Sequence, residues 1–187
     1  MIRYVFLLLL SIVLYSCSKK LTKKEAGLFK ERGNLIVQKT AKELSGNLMS
    51  KMKEGGIPLA VEYCNTAAIP LTSKVSETEK VTIKRTSLKT RNPLNKPNEE
   101  ELKVLKKYSS RINKNASLEA IIELDESGKP HYYAPILVEK KCLMCHGSLD
   151  KEVSKQADSI IKSFYPNDLA TGFSEGDLRG IWSISFP

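Results

Sequence analysis

The residues with chemistry to offer are Cys142-Leu143-Met144-Cys145-His146. Two thiols three residues apart, with an imidazole directly after them, fit C-x-x-C-H, the attachment motif of c-type haem. The spacing has a physical reason. Two thiols one helical turn apart can bond the two vinyl groups on one edge of a porphyrin, and the adjacent imidazole then falls beneath the iron as its proximal ligand. Other chemistries also use paired cysteines. A zinc site wants a second Cys/His pair, and only Cys64 and His131 remain for it. A thioredoxin-like redox pair wants a βαβ setting, which the sequence lacks. A structural disulfide across two residues is rare. The expectation is one covalent haem c on Cys142 and Cys145, with His146 on the iron.

Cys64 then stands single in an exported chain, where an unpaired reactive thiol is a liability. Two roles are open to it. It is either a small buried apolar residue inside a helix or the sixth ligand of the iron. His131, Met49 and Met52 are the other ligand candidates, although core packing is the default for both methionines and His131 reads as a packed or exposed strand residue. Arg85, Arg91 and Arg179 are suited to the two haem propionates, because guanidinium meets carboxylate bidentately. The competing role for them is hydrogen bonding within the fold. Asp168 and Asp177 sit among glycines and read as turn caps. Paired carboxylates beside a nucleophile, a phosphate-binding glycine loop and a Ser/His/Asp grouping are all missing from the sequence, so an enzyme is not expected.

The N-terminus reads as an address. Arg3 precedes an apolar run from Val5 to Tyr15, broken only by Ser11. The run is short for a membrane span and right for a signal-peptide core. It ends in Leu14-Tyr15-Ser16-Cys17, which resembles a bacterial lipobox, with Cys17 as the lipidated first residue of the mature chain. An uncleaved anchor followed by an ordinary Cys is the alternative. Both place the rest of the chain outside the cytoplasm on a membrane. Residues 1–16 are thus the signal peptide. Residues 17–24, with Lys19, Lys20, Lys23 and Lys24, form a basic linker beside anionic headgroups.

The elements that must position the motif lie in 25–187. With 187 residues, 41% hydrophobic and 27% charged, the chain is long enough for one real core without disulfide staples. The net charge of +9 excludes an acidic protein. It does not make a nucleic-acid binder, since the lysine cluster has no interleaved aromatics. Apolar residues at helical spacing predict an amphipathic helix over 25–54, ended by Gly55-Gly56. A second helix is predicted after Pro58, running through Val61 and Cys64 toward Pro70 and Val75. Val81 to Thr86 alternates like a strand, and 91–97 must be an irregular loop because both its prolines forbid helix interior. A short helix over 99–112 turns Leu102, Leu105 and Tyr108 inward. Strands 118–124 and 131–138 form a hairpin around Asp125-Glu126-Ser127-Gly128. A helix through Val153, Ile160 and Ile161 follows the cysteine motif, and 181–186 closes the chain as a strand. Helices first and strands after, with no βαβ alternation, predict an α+β domain with an antiparallel sheet.

Four blocks carry a resemblance: VEYCNTAAIP (61–70), KRTSLKTRNPLNKPNEEE (84–101), YYAPILVEKKCLMCHG (132–147) and YPNDLATGFSEGDLRGIWSISFP (165–187). Together they resemble the PAS-like c-type haem domain family, found in stand-alone c-type cytochromes and as extracytoplasmic sensor domains of chemoreceptors and histidine kinases. The resemblance implies that 25–187 is a PAS-like antiparallel sheet flanked by helices, with an N-terminal helical extension. It implies haem on Cys142 and Cys145, His146 as proximal ligand and Cys64 as distal ligand. No output domain follows the last strand, so a kinase or receptor role in cis is not expected. The expected function is low-potential one-electron transfer by a membrane-anchored extracytoplasmic protein on the periplasmic face, with a redox partner protein. The alternative is a haem-based redox or gas sensor acting in trans.

Overall fold

A computed structural model describes residues 20–187; the signal segment, Cys17 and the start of the basic linker lie outside the described residues. The first helix, α1 (Lys23–Thr66), opens with a capping box. The Thr22 hydroxyl accepts from the Glu25 N–H, and the Glu25 carboxylate accepts from the Thr22 N–H. The helix breaks at Gly55 and Gly56, where Gly56 has φ +68°. Glycine adopts that left-handed conformation without a Cβ penalty, and Pro58 lies near the start of the next helical piece, where a missing N–H costs nothing. The predicted end at Gly55-Gly56 is therefore a real discontinuity. The predicted second helix is itself divided at Ala67, and α2 (Ala68–Glu79) follows.

Four strands form one antiparallel sheet in the order β1-β4-β3-β2: β1 (Thr82–Thr86), β2 (Ile121–Leu124), β3 (Pro130–Leu137) and β4 (Leu178–Ser185). The last strand in sequence is central, so the chain's C-terminal segment completes the sheet. β2 and β3 form the predicted hairpin, with Ile121 opposite Tyr133 and Leu124 opposite Pro130.

Alternation along the strands gives the sheet two buried faces. Ile83, Tyr132, Ala134, Trp182 and Ile184 face α1 and α2, packing with Ile36, Leu44, Ala68 and Val75. Tyr133, Ile121 and Ile181 face α3 (Glu99–Asn113), packing with Val104, Leu105 and Tyr108. Within α3 Leu105 and Tyr108 turn inward as predicted, while Leu102 is only half-buried and Val104 takes the remaining core position. Glu101 is also buried, fixed by its capping box with Asn98 and by Lys84 at 2.7 Å.

Two close approaches fix the layers. A Cβ on Gly33 would stand 2.3 Å from the Tyr132 ring, and one on Gly180 would stand 2.3 Å from the Thr86 carbonyl oxygen. The fold is the predicted α+β arrangement, an antiparallel sheet flanked by helices with a long N-terminal helix. Among the described residues no helix is long and apolar enough to cross a membrane.

Candidate functional site

The CLMCH motif is a single helical turn. A short 3-10 segment (Lys140–Cys142) runs into α4 (Leu143–His146), so the Cys142 and Cys145 side chains, three residues apart, share one face. Both thiols are free and half-buried. The turn is held from two sides. Cys142 and Leu143 pack on Val138, Ala170 and Phe173. Cys145 joins Val61, Val153, Ala157, Ile161 and Tyr165, the cluster formed by α5 (Lys155–Phe164) and the second piece of α1.

Val61 in that cluster explains how Cys64 arrives. Cys64 lies one turn further along the same helix, and within electrostatic reach of Cys145, Arg85 and Arg91. Burial pushes both thiols up from their ordinary pKa, and the neighbouring arginines oppose the shift.

His146 is positioned by backbone. Its Nδ1 lies 2.7 Å from the Ala170 carbonyl oxygen, which can only accept, so Nδ1 carries the proton and Nε2 keeps its lone pair. Burial holds the imidazole well below its ordinary pKa, and the Arg179 and Arg91 charges push the same way. The ring meets the Phe173 edge at 6.4 Å between centroids. The 171–173 segment is pinned to the motif by Gly172 N–H to Gly147 O at 2.8 Å and Phe173 N–H to His146 O at 3.0 Å.

The three arginines gather here but are used differently. Arg91 grips Asp168 bidentately, Nε at 3.1 Å and Nη2 at 3.0 Å, and also donates to the Cys145 carbonyl at 2.6 Å. It is committed to the fold, tying the 91–97 loop to the cysteine turn. Arg179 donates to the Lys89 carbonyl at 3.1 Å and lies 5.5 Å from the Phe173 centroid. Burial and the nearby Arg91 charge lower its pKa to about 10. Arg85 lies 5.8 Å from the Trp182 ring centroid and within reach of Cys64, Tyr63 and Tyr165. The Tyr63 hydroxyl is buried with no hydrogen-bond partner among the described residues. Arg179 thus lies within electrostatic reach of Arg91, Arg85 and Asp168, three guanidinium groups gathered around one carboxylate that pairs with Arg91.

The other ligand candidates lie elsewhere. Met49 is exposed on the first piece of α1, and neither it nor Met52 joins the clusters holding Cys142 and Cys145. His131 is paired with Asp125 at 3.0 Å on the α3 face of the sheet. There it lines a cleft of about 460 Å³ that none of the cysteines lines. Among the described residues no three His, Cys, Asp or Glu side chains stand together as a metal cage. Sequence reasoning missed Asp168 as the Arg91 counter-ion, Ala170 as the His146 acceptor, and Tyr63. Asp168 does cap its turn, accepting the Ala170 N–H at 2.8 Å, and Asp177 accepts the Ser174 N–H at 2.7 Å.

Residues 19–187 match the Tll0287-like family. The chain belongs to the Tll0287-like family. The family-level resemblance read from the four sequence blocks holds. A solved structure of the cyanobacterial haem-protein Tll0287 aligns with a TM-score of 0.60 at 24% identity, covering 89% of this chain and 97% of that one. At that identity the likeness speaks for the shared fold. No curated protein matches the chain.

Proposed function

We propose that this member of the Tll0287-like family is an extracytoplasmic c-type haem protein working in one-electron transfer. One observation carries the reading. Two free thiols on one helical turn stand beside an imidazole whose Nδ1 proton is already given to Ala170, leaving Nε2 free to ligate. The residues fit the group in charge as well. Three guanidinium groups against one carboxylate leave an excess of positive charge, which the two propionates of a haem would balance.

In this reading Cys142 and Cys145 would hold the haem through thioether bonds, and His146 and Cys64 would ligate its iron. Haem supplies a one-electron ferric/ferrous couple when bound. The chain's own residues set its conditions. The Ala170 carbonyl fixes the His146 tautomer and ring direction. Phe173, Val138 and Ala170 keep the cysteine turn dry on one side, and Val61, Ile161 and Tyr165 do so on the other. An anionic Cys64 thiolate favours ferric iron, which lowers the potential relative to a Met ligand. Lipid attachment at Cys17, on the periplasmic face of a bacterial membrane, would hold the protein near a membrane-bound redox partner.

Sensing in trans is the second reading, and the Gly55–Gly56 break favours it. Cys64 rides on a helical piece joined to the rest of α1 through two non-helical glycines, so its position can change without unfolding the helix. The test is the spectrum of the dithionite-reduced protein, purified from cells that mature c-type cytochromes, before and after carbon monoxide. An unchanged spectrum is expected for electron transfer. A shifted Soret band would move sensing ahead, and absence of covalent haem would sink both readings.

A further inference from the structure

Tyr63 and Arg85 are two polar side chains that the protein itself leaves unused. The Tyr63 hydroxyl is buried without a hydrogen-bond partner among the described residues. A buried hydroxyl in that state is costly and calls for an explanation. The Arg85 side chain makes neither a hydrogen bond nor an ion pair among the described residues, and its guanidinium lies over the face of Trp182. Arg91 and Arg179 differ, since both spend donors on the fold.

The two unused groups come from different elements and converge. Tyr63 precedes Cys64 on the second piece of α1. Arg85 projects from β1 on the same sheet face as Trp182, toward α1, and lies within electrostatic reach of both Tyr63 and Cys64. A phenol and a guanidinium are both pure donors toward a carboxylate, and the pair supplies one neutral and one charge-assisted contact.

We propose that Tyr63 and Arg85 are a carboxylate receptor that binds one propionate of the haem on the Cys64 side. The inference rests on the haem reading and adds which residues anchor the group non-covalently. Tyr63 donates one hydrogen bond to the carboxylate, and Arg85 pairs its charge while keeping its contact with Trp182. Both residues are then satisfied, and the second piece of α1 is tied to β1 through the bound group. They are positioning residues, not ligands of the iron.

The test is resonance Raman spectroscopy of the ferric holoprotein, reading the propionate bending band, whose frequency rises with the hydrogen bonds the carboxylate accepts. Tyr63→Phe is expected to lower that frequency while leaving the covalent haem and the Soret band in place. Arg85→Gln is expected to lower it further and to lower the midpoint potential, because a positive charge beside the haem disfavours the ferric state. Arg85→Lys is expected to restore the potential but not the full band position. An unmoved band in Tyr63→Phe and Arg85→Gln, with covalent haem present, overturns this inference alone. Wild-type protein without covalent haem overturns both it and the proposed function. Should Arg85→Gln fail to fold, Tyr63→Phe decides the matter, since it deletes only an unpartnered oxygen.

Discussion

Arg91 does structural work at this site, whereas Cys64 is the distal ligand of the haem reading proposed above. The Arg91 side chain is 11% exposed and its partner Asp168 only 3%. Removing one partner of such a pair leaves an uncompensated buried charge, at about 3–5 kcal/mol. Arg91→Ala should therefore cost that much, read as a lowered urea midpoint. The double change Arg91→Met with Asp168→Leu should recover only part of it: no lone charge remains, but the Ala170 N–H and the Cys145 carbonyl lose their partners. Cys64 predicts a different signature. If Cys64 holds the iron as proposed, replacing it with Ala opens that position, so the reduced Cys64→Ala holoprotein should bind carbon monoxide and shift its Soret band, whereas the wild type should not.

Individual elements carry their own tests. Gly33 lets α1 lie directly on the Tyr132 ring. Gly33→Ala forces the ring or the helix to move, and overpacking of this kind costs about 1–3 kcal/mol. Thermal unfolding should show the loss, and the shortened side chain of Tyr132→Leu should relieve part of it. In the β2–β3 turn, the Lys129 backbone N–H, then Ser127 and His131, hold the Asp125 carboxyl far below the ordinary carboxylate range. Its folded pKa is depressed, so its contribution is present above the unfolded value of about 3.9 and is lost as pH falls below that. Asp125→Asn should destabilise the protein at pH 7. The gap from wild type should narrow in urea titrations run below about pH 4.

The whole molecule is basic, at +9, and its candidate site adds three arginines against one carboxylate. An anionic redox reagent should therefore exchange electrons faster than a cationic one at low salt. The difference should fade toward 1 M salt, where the Debye length is about 3 Å. Stopped-flow rates with a matched pair of reagents measure this directly. The sequence by itself determined the motif and the element types, because both depend on local spacing. C-x-x-C-H is three thiol and imidazole positions within one turn, and apolar periodicity marked α3 and the strands; on α1 it marked the helix but not its buried face, since Leu28, Leu35 and Met49 are exposed while Gly33 and Thr40 are buried. Glycine and proline chemistry marked the break at Gly55-Gly56 and the 91–97 loop. Only the tertiary structure decided what depends on groups distant in the chain. Cys64 comes to within electrostatic reach of Cys145 because Val61 and Cys145 pack on the same helix α5. Arg91 is committed to Asp168, 77 residues away, while the Arg85 side chain has no hydrogen-bond or ion-pair partner among the described residues. The His146 tautomer follows from a backbone carbonyl at Ala170, and a carbonyl leaves no trace in side-chain identity.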